Sequence, residues 1–178
     1  MKPAVALFLV SAFAVMVQGA AAGLMGHFII PDLGLLIVVA LGTRWRSLAS
    51  GIVLAALIGY LADLLSGSLL GQHALLRMLA FAAARVGGRS LNLRGALPQA
   101  VFVGILSLVN ALGVAVLTTF FAPDARFGLA SAGALLTHAG INAVFAPLVA
   151  LGTDRVLGLV SDDDAGRRLL RIEPRRVS

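Results

Sequence analysis

The sequence predicts an all-α polytopic integral membrane protein, with about six transmembrane helices in one bundle. Three observations carry that prediction. Of 178 residues, 60% are apolar and only 12% are charged, against the roughly 25% charged that a soluble domain uses to wet its surface. Mean hydropathy is +0.99. The apolar residues fall in stretches near the ~20 that a bilayer crossing requires, and no segment between them is long enough for a folded aqueous domain. Cysteine is absent, which excludes disulfides, haem thioethers and thiolate metal sites. The net charge of +6 reflects basic loops held in the cytoplasm. No interleaved aromatic and basic patch points to nucleic acid.

No Asp, Glu, Lys or Arg lies between Lys2 and Asp32, which predicts a first span near 4–23. Its start resembles a signal peptide, with Gly19-Ala20-Ala21-Ala22 as the cleavage region. The stretch is nevertheless long enough to cross, and Gly19 and Gly23 offer a small-residue face for packing. The second segment, 28–43, opens on Pro31 and Asp32 and closes on Arg44-Trp45-Arg46. Proline suits a helix's first turn, where its missing N–H costs nothing, and an acid there meets the positive end of the helix dipole. A third span is expected over 47–65 and a fourth over 72–88, separated by the turn material "SGSLLG". The fifth, 97–121, and sixth, 128–152, contain no charged residue and turn at Pro123 and Asp124. Residues 1–153 thus form a transmembrane helical bundle and 154–178 a basic tail.

Charge counting sets the orientation. With six spans and the N-terminus inside, the inner side holds Lys2, Arg44, Arg46, Arg85, Arg89, Arg94 and the six tail arginines, while Arg126 alone lies outside and Arg77 in the membrane. That bias obeys the positive-inside rule. If 28–43 dips in without crossing, five spans satisfy the rule nearly as well. Both arrangements place the tail of this multi-pass protein in the cytoplasm. The tail stretch "GRRLLRIEPRR" fits three roles: lying on anionic lipid, docking a cytosolic partner, or fixing topology.

Polar groups inside the spans are the candidate functional residues, because an unpaired charge at mid-bilayer costs about 2.5–3.5 kcal/mol on insertion scales. Gly51, Ala55, Gly59, Asp63 and Gly67 recur every four residues, a small-residue ridge that carries the acid toward another helix. If segments three and four turn near Leu70, Asp63 and Arg77 stand at equal depth and form a salt bridge, with His73 on the same face as Arg77. The other arrangement has Arg77 reaching to the outer headgroups and Asp63 capping the end of its own helix. A second polar set comprises Gln18, Asn110, His138 and Asn142. A closed midplane cavity lined by these would mark a solute-binding subunit; interhelical hydrogen bonds among them would mark a scaffold. The scaffold reading is favoured, since no second acid accompanies them to build a relay. Enzyme chemistry finds no nucleophile loop around Ser66, Ser68 or Ser107, and three histidines in separate segments make no metal site. No cofactor is expected.

The stretch "PDLGLLIVVALGTRWRSLASGIVLAALIGYLADLLSGSLLGQHALL" resembles the bacterial rod shape-determining protein MreD family. The likeness rests on Pro31-Asp32, the apolar run and basic loop, the Gly-rich helix ending at Asp63 with Ser66-Gly67, and Gly71 with His73. It covers about residues 31–90, with "LPQAVFV" and the overall length in support. Leu70 stands where Pro often follows the turn, and Arg77 where an apolar or hydroxyl residue is expected. The resemblance implies a non-enzymatic member of the cell-elongation (rod) complex that supports peptidoglycan synthesis as a scaffold in the lipid bilayer. Its implied neighbours are an MreC-like single-span protein, the actin-like MreB filament, and a RodA-type glycosyltransferase with its penicillin-binding transpeptidase. The family is also similar to the six-helix substrate-binding subunits of energy-coupling-factor transporters, so the alternative is a solute-binding subunit of a vitamin-type transporter.

Overall fold

A computed structural model describes residues 2–25, 30–45, 47–67, 69–91, 93, 95–121 and 131–171. The turn expected at Pro123-Asp124, the cations Arg46, Arg94 and Arg126, and the tail beyond 171 lie outside the described residues. Within them are six helices: α1 (Lys2–Met25), α2 (Leu33–Arg44), α3 (Leu48–Ser66), α4 (Gln72–Ser90), α5 (Ala96–Phe121) and α6 (Ser131–Arg171). Four of these, α1, α3, α5 and α6, are long and apolar enough to cross a membrane. The helix α4 carries Arg77, Arg85 and Arg89 and falls short by composition. At 12 residues, α2 is about 18 Å long at 1.5 Å per residue, well under the ~30 Å of a hydrocarbon core.

The shortest helix is the centre of the molecule. Every residue of α2 from Gly34 to Gly42 is buried. Its sequence "LGLLIVVALG" is apolar on all sides, as a helix enclosed by other helices requires. The remaining five form a ring around it: α3 packs on α4, α4 on α5, α5 on α6, α6 on α1 and α1 on α3, while α2 touches all five. Outward positions on the ring, such as Phe13, Val53, Leu112 and Val144, are exposed and suit lipid. Gly19 and Gly23, expected to give α1 a packing face, have nothing within 4 Å. The expected domain boundary at 153 falls inside α6, which continues unbroken to Arg171.

The α3–α4 hairpin sets the register of the polar residues. An added Cβ at Gly59 would lie 2.5 Å from the His73 carbonyl oxygen and 2.6 Å from Ala74 Cα, and one at Gly51 would lie 2.1 Å from Phe81 Cζ. The ridge Gly51, Ala55, Gly59, Asp63 therefore does face α4, with backbones in near contact at Gly59. The chain reverses over Gly67 (φ 64°) and Gly71 (φ 90°), a left-handed backbone that glycine adopts without penalty. The turn itself is centred at residue 69, next to Leu70, but the two helices are staggered: Gly51 lies against Phe81 and Gly59 against His73 and Ala74. Asp63 stands opposite the start of α4, and Arg77 lies about 10 Å deeper, seven residues on at 1.5 Å each.

Candidate functional site

The register separates the pair expected from the sequence. Asp63 is fully buried and accepts hydrogen bonds from the backbone N–H groups of Gly71 (2.9 Å), His73 (2.8 Å) and Ala74 (3.3 Å). One of its oxygens also lies 2.8 Å from His73 Nδ1. The residue before α4 is glycine, which has no side chain to cap that helix. Asp63 supplies the cap from the preceding helix. It caps the start of α4 and not the end of α3, as the dipole demands: an acid belongs at a positive helix start. Ser66 bonds back to the Asp63 carbonyl oxygen at 3.4 Å.

Arg77 pairs with Asp32. Its Nη2 donates to both carboxylate oxygens at 2.7 and 2.6 Å, and its side chain is only 2% exposed. It neither reaches the headgroups nor bonds Asp63. Asp32 in turn is the N-cap of α2 and accepts from Leu35 N–H at 2.9 Å. The second polar set converges on the same helix start. Asn142 Oδ1 accepts from Asp32 N–H at 2.7 Å, and Gln18 Oε1 accepts from Leu33 N–H at 2.8 Å. Asn142 also donates to Ser107 at 3.0 Å, which ties α5 into the group. Asn110 Oδ1 is 3.5 Å from Arg77 Nη1, a marginal contact. The start of α2, just after Pro31, is thus held by side chains from α1, α4 and α6.

Two nitrogens here have no partner: Arg77 Nε and His138 Nδ1 are buried and make no hydrogen bond among the described residues. An unmet buried donor costs about 1–3 kcal/mol. Both residues line a half-open cavity of about 390 Å³, together with Gln18, Asp32, His73 and Asn110. The cavity exists because α2 is short. Its first turn lies beside Gln18, Arg77 and Asn142, so the ring helices run on past it by roughly 8–16 Å at 1.5 Å per residue. The arrangement matches neither sequence expectation in full. The cavity is not closed, and Gln18 and Asn142 spend their amide oxygens on the backbone at the start of α2, not on each other. Asn110 and His138 retain open polar atoms.

Sequence reasoning passed over Gln72, weighed Ser107 only as a nucleophile, and placed Trp45 only at the close of the second segment. Gln72 Nε2 donates to Val114 O (3.2 Å) and Thr118 Oγ1 (3.3 Å), joining α4 to α5. A polar side chain at the first position of a helix that follows glycine was the available signal. At the opposite end of the bundle, Arg85 donates to the Trp45 carbonyl oxygen at 2.5 Å. Nearby, Arg44 pairs with Asp154 of α6 in a partly exposed contact.

The family of the rod shape-determining protein MreD matches residues 2–152. The chain belongs to the MreD family. The match extends beyond the stretch of resemblance in 31–90 to take in α1, α5 and the membrane half of α6. No curated protein and no solved structure matches the chain. MreD proteins are shape-determining structural proteins, and the four long apolar helices with that membership mark a protein of the inner membrane with a role in rod shape determination. Nothing in the match supports the solute-binding transporter subunit. Among the described residues, no three His, Asp or Glu side chains come together as a metal site.

Proposed function

We propose that this chain is a non-enzymatic membrane scaffold of the bacterial cell-elongation complex, supporting peptidoglycan synthesis by holding membrane partners in place. Family membership over residues 2–152 carries the reading. The chemistry of the interior agrees with it: Asp32, Asp63, Arg77, Gln18 and Asn142 are engaged in fastening one helix to another, which is structural work. The partners that fit are an MreC-like single-span protein, the MreB-type filament, and a RodA-type glycosyltransferase with its transpeptidase. Contacts in lipid depend on packing and small residues more than on hydrophobicity, so partner helices are expected on the outer ring. The arginine count supports a cytoplasmic tail and a cytoplasmic Arg44, Arg85, Arg89 end.

Purification of the tagged chain in mild detergent tests this. Recovery of an MreC-like protein in stoichiometric amount is the expected result. Recovery of an ATPase module with a bound vitamin, and no shape-determining partner, overturns it. A C-terminal alkaline phosphatase fusion is expected to be inactive; an active one reverses the orientation.

A further inference from the structure

The half-open cavity above α2 has the volume of a small-molecule site, about 390 Å³ against the usual 300–1,000 Å³. Its wall is mostly apolar, with a few convergent polar groups. Four of these retain open hydrogen-bonding capacity. Arg77, 2% exposed, has an unpartnered Nε, and His138 has an unpartnered Nδ1. Gln18 and Asn110 spend only their amide oxygens, on Leu33 N–H and Arg77, leaving their N–H₂ groups without a bond among the described residues. The open set is rich in donors.

Charge decides what those donors take. The Arg77 cation is already neutralised by Asp32. Asp63 is met by the His73 ring and three backbone N–H groups. The positive start of α2 is occupied by its own Asp32 cap. An incoming anion finds no unspent positive charge and sits close to an existing carboxylate. A neutral group with oxygen acceptors loses nothing to repulsion and satisfies the open N–H groups. We propose that this cavity is a binding site for a small uncharged molecule or lipid head group bearing carbonyl or hydroxyl oxygens, which accept from Arg77, Gln18 and Asn110, while His138 Nδ1 donates to a carbonyl or accepts from a hydroxyl according to its tautomer. With the arginine-rich end in the cytoplasm, the site opens toward the outer face. The inference stands apart from the scaffold reading, because it rests on the cavity alone.

The absence of cysteine provides the test. Ala111 lines the cavity, so the full chain carrying Ala111→Cys, in nanodiscs of defined lipid, reports occupancy through its rate of alkylation by N-ethylmaleimide. The probes are free N-acetylglucosamine, which offers one amide and several hydroxyls without charge, and monoglucosyl diacylglycerol placed in the disc. Inorganic phosphate and acetate serve as anionic competitors. At least fivefold slowing by either uncharged probe is expected; the free sugar marks a solute site and the glycolipid a head-group site. The slowing should disappear in Asn110→Leu with His138→Leu; His138 Nδ1 bonds nothing among the described residues, and Asn110 makes only a 3.5 Å contact with Arg77. A cysteine at lipid-facing Val101 should be unaffected by the free sugar. No slowing by either uncharged probe overturns the proposal and leaves a cavity filled with water alone. Equal slowing by phosphate overturns it as well, as does slowing that survives the double substitution.

Discussion

Removing Arg77 tests the central polar connection of the bundle. In Arg77→Leu the packing volume is nearly kept, but Asp32 loses two charge-assisted hydrogen bonds of 2.6 and 2.7 Å and keeps Leu35 N–H as its side-chain donor. Its side chain is only 15% exposed, so water replaces little of what is lost. Breaking a buried pair by removing one partner costs about 3–5 kcal/mol, or some two to three and a half powers of ten in the folding equilibrium. The second step separates charge from packing. Adding Asp32→Asn removes the stranded charge while keeping a competent cap, since Asn caps as well as Asp. The double variant should return to within about 1–2 kcal/mol of the parent, because replacing both members of a buried pair is often close to neutral. Arg44→Leu is the control: its pair with Asp154 is 27% and 47% exposed, and such pairs contribute about 0–1 kcal/mol. Reversible unfolding in mixed micelles reads all four proteins. A loss below about 1 kcal/mol in Arg77→Leu, or a further loss on adding Asp32→Asn, refutes the reasoning.

The other two expectations concern the α3–α4 hairpin. Asp63→Ala removes the cap of α4, for which about 0.5–2 kcal/mol is usual, and hydrogen exchange should accelerate at the amides of Gly71, His73 and Ala74; unchanged exchange there rules out the tertiary cap. Gly59→Ala drives a methyl group into the His73–Ala74 backbone and should cost about 1–3 kcal/mol as overpacking, whereas Gly140→Ala, inside α6 with nothing within 4 Å, should stabilise by up to about 1 kcal/mol. Similar thermal stabilities for those two variants would mean that the hairpin register is wrong.

The membrane class, the six helices and the inward-facing ridge of α3 were legible because each follows from local composition or a period of four. The pairing of Arg77 was not. Sequence reasoning pairs a residue with its neighbour across a hairpin, and the partner here, Asp32, comes 45 positions earlier on a helix whose place is fixed only by the ring. The turn residues Gly67 and Gly71 move the hairpin's midpoint only to residue 69, which leaves Asp63 within one turn of Arg77. The stagger that separates them is set by the packing of Gly51 on Phe81 and of Gly59 on His73 and Ala74, and it has no local signal. The all-round apolarity of 33–42, by contrast, was a signal of enclosure. The cavity had no local signal, since it is the difference between the length of one helix and that of five others.

A single physical demand accounts for both buried acids. A helix that starts below the membrane surface exposes N–H groups which water cannot reach, and hydrocarbon satisfies none of them. Both α2 and α4 begin beneath the ends of longer helices: α2 inside the ring, and α4 as part of it, where Gln72 bonds Val114 and Thr118 of α5, a helix that runs on to Phe121. Each is met by one carboxylate: Asp32 from the residue before α2, and Asp63 from α3 for α4. A carboxylate placed there brings its own charge, which must be balanced in turn. Asp63 is balanced locally, by three backbone donors and the His73 ring. Asp32 has fewer backbone donors, so Arg77 completes it from across the bundle. Most of the polar residues that look like an active site in the sequence are therefore explained by helix starts enclosed in the bundle; among the described residues, Asn110, the Gln18 N–H₂ group and the unmet nitrogens of Arg77 and His138 remain outside that explanation.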